Sequence, residues 1–158
     1  MTKICIKGCE EMTKKYELTS DSIVKNGRTL YRIKALVSFG DVQAGDLGGY
    51  ISHESNLSHR GECWVYCKAV VYGNARVYGD AWVDDNAIVS GNARIYGNAW
   101  LFGCTIVSGN ARAYGKVRVA GYAVVCGNAR VYGKTFICGR VRIGGHARVC
   151  GGKIDSIA

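Results

Sequence analysis

From Cys63 to Gly152 the chain repeats a six-residue pattern fifteen times without insertion or deletion. Ala75-Arg76-Val77-Tyr78-Gly79-Asp80 is a typical unit. Position one is small, most often Ala. Position three is aliphatic throughout, from Val65 to Val149, with only Ala113 short. Position five is Gly in thirteen units, with Cys67 and Asp85 as the exceptions, and position six is often Asn. Positions one and three project to one side of a short strand, positions two and four to the other. Gly and Asn supply the left-handed backbone of a turn. Each unit is therefore one flat edge with an inward face of Ala and Val, and it can bury that face only by stacking on neighbours.

A longer period fixes how the edges assemble. At position two, Trp64, Trp82, Trp100, Arg118 and Phe136 recur every 18 residues. Val70, Ile88, Ile106, Val124 and Arg142 form a second series, and Arg76, Arg94, Arg112, Arg130 and Arg148 a third. At position four, Tyr78, Tyr96, Tyr114 and Tyr132 accompany the Arg series, and Asn74, Asn92, Asn110 and Asn128 occupy position six of the middle series. Three hexads per coil is the simplest geometry with this property. It predicts a triangular cross-section and five regular coils.

These hexads resemble the left-handed parallel β-helix superfamily of hexapeptide-repeat proteins. The Gly-Asn-Ala-Arg-Val-Tyr-Gly wording is similar to small phage and prophage repeat proteins, as are Arg28–Ile33, Gly40-Asp41 and Gly45–Gly49. The resemblance implies the left hand of the coil, frequent trimers and, in some members, acyl transfer with a His base and an extruded loop. It implies fold more strongly than function.

Upstream, Asn26-Gly27 is a two-residue hairpin signal joining Ser22–Lys25 to Arg28–Val37. Gly45–Gly49 reads as a flexible connector, and Ile51–Asn56 and Leu57–Glu62 as degraded hexads. The expected organisation is an N-terminal β cap over 1–50, a β-helix over 51–152 with regular hexads at 63–152, and a tail over 153–158. The cap would shield the open end of the coil. The alternative is that Gly40–Gly49 completes a pocket with a neighbouring subunit.

Charge changes this picture by its location. The net charge is +9, and the segment 63–152 holds eight Arg and three Lys against Asp80, Asp84 and Asp85. With no signal-like start and no membrane-length apolar run, the chain reads as soluble and cytoplasmic, in the host cytoplasm if phage-encoded. Eight Cys without a C-x-x-C pair read as reduced thiols; Cys5/Cys9 and Cys63/Cys67 lack His partners at zinc-finger spacing.

His53, His59 and His146 are the only general-base candidates of the acyltransferase kind. None has a carboxylate at a spacing that defines a partner, though Glu54 adjoins His53, and the regular hexads contain no extruded loop. No catalytic residue, cofactor or metal is expected, and Asp80, Asp84 and Asp85 read as a solvated turn. The Arg–Tyr edge is the candidate ligand-binding surface: Arg76, Arg94, Arg112, Arg130 and Arg148 offer bidentate donors, and Tyr78, Tyr96, Tyr114 and Tyr132 offer stacking planes. A hydrated face of long side chains is the plainer alternative. The apolar edges, Trp64, Trp82 and Trp100 on one side and Val70, Ile88, Ile106 and Val124 on the other, predict burial in a homo-oligomer, with a trimer preferred and a dimer open. The expected function is non-catalytic binding of an anion: a nucleotide-like signal sequestered from a host defence pathway, nucleic acid, or an acidic host protein. An acyltransferase and a purely structural rod are the alternatives.

Overall fold

A computed structural model describes residues 3–6 and 10–155. Cys9 and residues 156–158 of the expected tail lie outside the described residues. The chain is nearly all β. Among the described residues the single helical turn is a 3-10 turn at Glu54–Asn56, and no helix is long and apolar enough to cross a membrane.

The body is a parallel β-helix of six coils whose rungs pair in the 18-residue register. Trp64 pairs with Trp82, Trp82 with Trp100, and Trp100 with Arg118. Val70, Ile88, Ile106, Val124 and Arg142 pair in order on the second face. The five Arg, from Arg76 to Arg148, pair in order on the third. Each coil donates to the next: Arg76 N–H to Ala93 O and Tyr78 N–H to Ile95 O, both 3.0 Å. The interior is apolar. Val65, Val71, Val83, Val89, Ile95, Leu101, Val107, Val119 and Val125 are fully buried, as are the position-one Ala residues beside them. Each such Val or Ile contributes roughly 1.5–3 kcal/mol of burial. Where Thr replaces Ala, its hydroxyl bonds back to the turn: Thr105 Oγ1 to Phe102 O at 2.8 Å and Thr135 Oγ1 to Tyr132 O at 2.7 Å.

Position five is left-handed in every unit, including the two without Gly: Cys67 at φ 55° and Asp85 at φ 56°. Asp85 Oδ2 accepts the N–H of Gly103 in the next coil at 2.9 Å, a bond that Gly cannot make.

The first coil is built from the degraded hexads in a different register from the one their sequence suggests. Ile51 pairs with Val71 and Leu57 bridges Val77, so both occupy position three. Eight residues, not six, then separate Leu57 from its counterpart Val65, and the surplus forms a longer turn over 58–62. The expected flexible connector is also corrected. Strand β5 (Leu47–Ile51) includes Gly48 and Gly49, both buried. A Cβ would meet Val65 O at 2.5 Å from Gly48 and Ala69 O at 2.4 Å from Gly49. These glycines permit close approach.

Upstream of β5, β1 (Lys3–Ile6) and β2 (Glu10–Thr13) form an antiparallel pair that the sequence did not signal. The hairpin β3 (Tyr16–Lys25) and β4 (Arg28–Ala35) turns at Asn26 and Gly27, both at positive φ. Strand β4 pairs with β5, and β5 with Val70–Val71, so the hairpin extends the aliphatic face into an eight-stranded sheet. Asn26 Nδ2 donates to Tyr72 Oη at 2.7 Å. The same segment packs on the first coil: Tyr16 donates to Glu54 O and Leu57 O at 2.9 and 2.6 Å, and Phe39 packs edge-on against Trp64 at 5.3 Å.

Two edge residues expected to face outward to a partner subunit are therefore covered within the chain. Trp64 lies beneath Tyr16 and Phe39, and Val70 clusters with Leu30 and Tyr72. Trp82, Trp100, Ile88, Ile106 and Val124 are half-buried by their neighbours along the face. At the other end, Lys153–Asp155, read above as tail, pair in parallel with Phe136–Cys138 and complete the last coil.

Candidate anion-binding edge

Inward Val77, Ile95, Ala113 and Val131 anchor the third face, and this alternation turns the Arg and Tyr side chains outward. At strand spacing the guanidinium groups repel, by roughly 1 kcal/mol per pair even in water at about 4 Å. Among the described residues no carboxylate stands within ion-pair distance of Arg76, Arg94, Arg112, Arg130 or Arg148. Among the described residues the edge is thus a column of cations without a carboxylate counter-charge.

The Tyr column differs from expectation in its chemistry. Tyr78 and Tyr96, and Tyr96 and Tyr114, stack with centroids 4.8 Å apart and planes within 6°; Tyr114 and Tyr132 stack at 5.3 Å. Rings that stack on one another leave no gap for a base, so the inner faces offer no stacking plane. Only the end rings keep a face free of another Tyr. Beside the Arg column, Asn92 Nδ2 donates to Asn110 Oδ1 and Asn110 Nδ2 to Asn128 Oδ1, each at 3.1 Å.

At the N-terminal head of this edge lies a cleft of about 500 Å³, lined by Glu54, Leu57, Ser58, His59, Arg76, Tyr78 and Arg94. A second hollow of about 310 Å³ shares Ser55, Arg76 and Arg94 with it and adds Asn74 and Asn92. His59, on the longer turn, stacks on Tyr16 with centroids 4.2 Å apart. Its Nδ1 accepts the backbone N–H of Lys15 at 3.0 Å. In the neutral ring the proton then resides on Nε2, which is buried without a hydrogen-bond partner and lies 3.8 Å from Glu54 Oε2. Glu54 is held by Lys14 Nζ at 2.6 Å. Burial pushes the His59 pKa down, against the pull of the Glu54 carboxylate and with Lys14 and Lys15 adding to the lowering.

This cluster was not legible as a site, because His59 meets residues 5 and 44 positions away. One signal was available: the eight-residue step from Leu57 to Val65, which marks an extruded turn. The other histidines, His53 and His146, are exposed.

The lowered His59 pKa carries a pH prediction. Below about pH 6.5 the unfolded chain takes up this proton before the folded chain does. The contribution of His59 to stability is therefore present above that range and is lost as pH falls towards the folded pKa. Thermal melts at pH 7.5 and 5.5 should show a loss that His59→Phe, which keeps the ring stack, reduces. An identical loss in the variant would assign it to the carboxylates alone.

Elsewhere, Cys67, Asp84 and Asp85 place ligand-type atoms within 4.8 Å of one another at exposed turns. Asp80, expected in the same acidic turn, instead accepts the Glu62 N–H at 3.0 Å. On the Trp face, Trp82 and Trp100 meet edge-on at 5.9 Å, Arg118 lies 5.5 Å over the Trp100 ring, and Trp100 Nε1 is buried without a partner.

Repeating hexads, register pairing of every third unit and a parallel coil define a repeat β-helix protein, and the comparisons agree. The family model described as YdcK Beta solenoid repeat matches residues 69–84 and 87–103. The Escherichia coli (strain K12) protein named "Uncharacterized acetyltransferase YdcK" is 38% identical over 60 residues, 34% of this chain and 18% of that protein. This chain is therefore a β-solenoid repeat protein that is similar to YdcK over a limited stretch, and the match spans under a fifth of that protein's length.

Proposed function

We propose that this chain is a non-catalytic binding protein that holds an anionic ligand on its Arg edge. The observation that carries this reading is the in-register column of five Arg with no carboxylate partner among the described residues. A bound anion would relieve the mutual repulsion and accept bidentate hydrogen bonds on a backbone too rigid to lose much entropy. In its fuller form, the protein is a homo-oligomer, most naturally a trimer, that sequesters a nucleotide-like ligand or an acidic host factor. The phage-type resemblance suggests that such retention counters a host defence. Trp82, Trp100, Ile88, Ile106 and Val124 remain the edges that assembly would bury.

The test is calorimetry against linear and cyclic nucleotides and short DNA at two salt concentrations. Affinity should fall as salt rises. Arg94→Ala with Arg112→Ala should cost about 1.5–3 kcal/mol of binding per charged hydrogen bond lost, with the melting temperature holding or rising because Ile95 and Ala113 keep the core and two repelling charges are removed. Equal affinity in native and double-variant protein would remove the Arg edge from the reading.

The name of the YdcK relative favours a second reading, acetyl transfer. Against it, the Nδ1 lone pair of His59 is engaged by Lys15 N–H and Nε2 carries the proton, which leaves no free lone pair for a general base. An acetyl-CoA turnover assay separates the two readings.

A further inference from the structure

We propose that the cleft at the head of the Arg edge is a mononucleotide site, with the base stacked on Tyr78 and the phosphate held between Arg76 and Arg94. The inference rests on the anion-binding reading above and adds a place and a second chemical half to the ligand.

The cleft exists because the first coil keeps its rung at Leu57 but lacks the outward Arg and Tyr side chains of this face. In the four coils below, position four of this face is Tyr; in the first coil it is Ser58, whose N–H donates to Val77 O at 2.9 Å just above Tyr78. Position two of the first coil is Asn56, which is fully buried and turned inward, its Nδ2 donating to Gly73 O and Ala75 O. Both columns therefore lose their top member at once, and the void lies against the one face of Tyr78 not stacked on Tyr96. A planar aromatic group placed there would continue the Tyr stack in the place of the missing ring. His59 lines the lobe with its ring edge, its Nε2 being buried beside Glu54 Oε2.

The charges fix the orientation. Glu54 borders the Tyr78 lobe and disfavours phosphate beside it. The adjoining hollow has no carboxylate; it is lined by Arg76, Arg94 and the amides of Asn74 and Asn92. Phosphate belongs in that hollow, and the uncharged base in the lobe with Leu57 and Tyr78. An inorganic anion would use only the second half.

The experiment is calorimetry with adenosine 5′-monophosphate, adenosine and inorganic phosphate on the full chain, with thermal melts alongside. The nucleotide should bind at least tenfold tighter than either fragment. Ser58→Tyr restores the missing ring of the Tyr column and should abolish nucleotide binding while the melting temperature holds or rises. Tyr78→Leu, which does not depend on that substitution folding, should weaken the nucleotide at least tenfold and leave phosphate unchanged. Arg142→Ala removes one charge on another face and serves as the control for net charge. Nucleotide and phosphate binding equally, or nucleotide affinity unmoved by both Ser58→Tyr and Tyr78→Leu, would overturn the site while leaving the Arg edge as an anion binder. Losses as large on Arg112→Ala as on Arg76→Ala would place the ligand along the edge and also overturn it. No heat with any of the three compounds would overturn the site, and the wider panel of cyclic nucleotides and short DNA would then decide the Arg edge separately.

Discussion

Gly97→Val is expected to unfold the centre of the solenoid, lowering stability by more than about 3 kcal/mol. Two costs add at this position. Gly97 is at φ 67°, where an L side chain costs roughly 1–2 kcal/mol and a β-branched one more. Its Cβ would also stand 2.7 Å from Gly115 N in the next coil. The obstacle is backbone, so relief requires separating coils joined by Tyr96 N–H to Ala113 O and Asn98 N–H to Gly115 O. Gly145 gives the comparison that separates the terms: it is at φ 60° with nothing within 4 Å of its Cβ position. Gly145→Ala should therefore cost about 1–2 kcal/mol, the conformational term alone, and Gly97→Ala clearly more. Asp85→Gly should be close to neutral, within about 1 kcal/mol, because relief of the left-handed strain is offset by loss of the bond to Gly103 N–H and by a more flexible unfolded chain. Denaturant melts of the four variants check this. If Gly97→Ala and Gly145→Ala cost the same, the stacked-glycine argument fails.

The contrast between these glycines shows why the coil was readable and the head site was not. Each hexad repeats the same local demand, so position three could be assigned inward and position five left-handed without reference to the rest of the chain, and the 18-residue recurrence of Arg76, Arg94 and Arg112 gave the register. Trp64 and Val70 carry the same pattern as Trp82 and Ile88, yet they are covered, because Tyr16, Phe39 and Leu30 arrive from the N-terminal segment by contacts that no periodicity encodes. Position two says that a side chain points outward, not whether something lies on it. The Tyr column was legible as a column, but whether its rings stack on one another or receive a ligand depends on the rise of the coil. The head cleft needed the register of the first coil, which the pattern assigned to Leu57 at position one and the pairing places at position three.

Lys15→Ala should be strongly destabilising, at about 3–8 kcal/mol. Lys15 is 2% exposed. Its Nζ donates to Cys63 O at 2.7 Å and Gly61 O at 3.3 Å, contacts Cys63 Sγ at 3.5 Å, and lies 4.6 Å over the Phe39 ring. The side chain is a plug: it satisfies the carbonyl of Gly61, in the extended turn over 58–62 that carries His59, and that of Cys63 just after it. Truncation leaves those carbonyls without their donor, at roughly 1–3 kcal/mol, and opens a cavity worth about 2–5 kcal/mol for a long side chain. Burial lowers the Lys15 pKa, so holding the ammonium here is itself costly, and Lys15→Met, which keeps the stem and removes the charge, should recover most of the loss. The pH dependence follows the same sign. Between the folded pKa and 10.5 the unfolded chain binds this proton and the folded chain does not, so the Lys15 contribution to stability rises with pH across that window. Cys63 and Tyr16, whose pKa values burial raises, act oppositely above about 9 and 10. Melts at pH 7 and 8.5, below both, should therefore show native protein holding or widening its margin over Lys15→Met. A Lys15→Ala chain that melts with the native one would show that the turn holds itself, and His59 with it, without the plug.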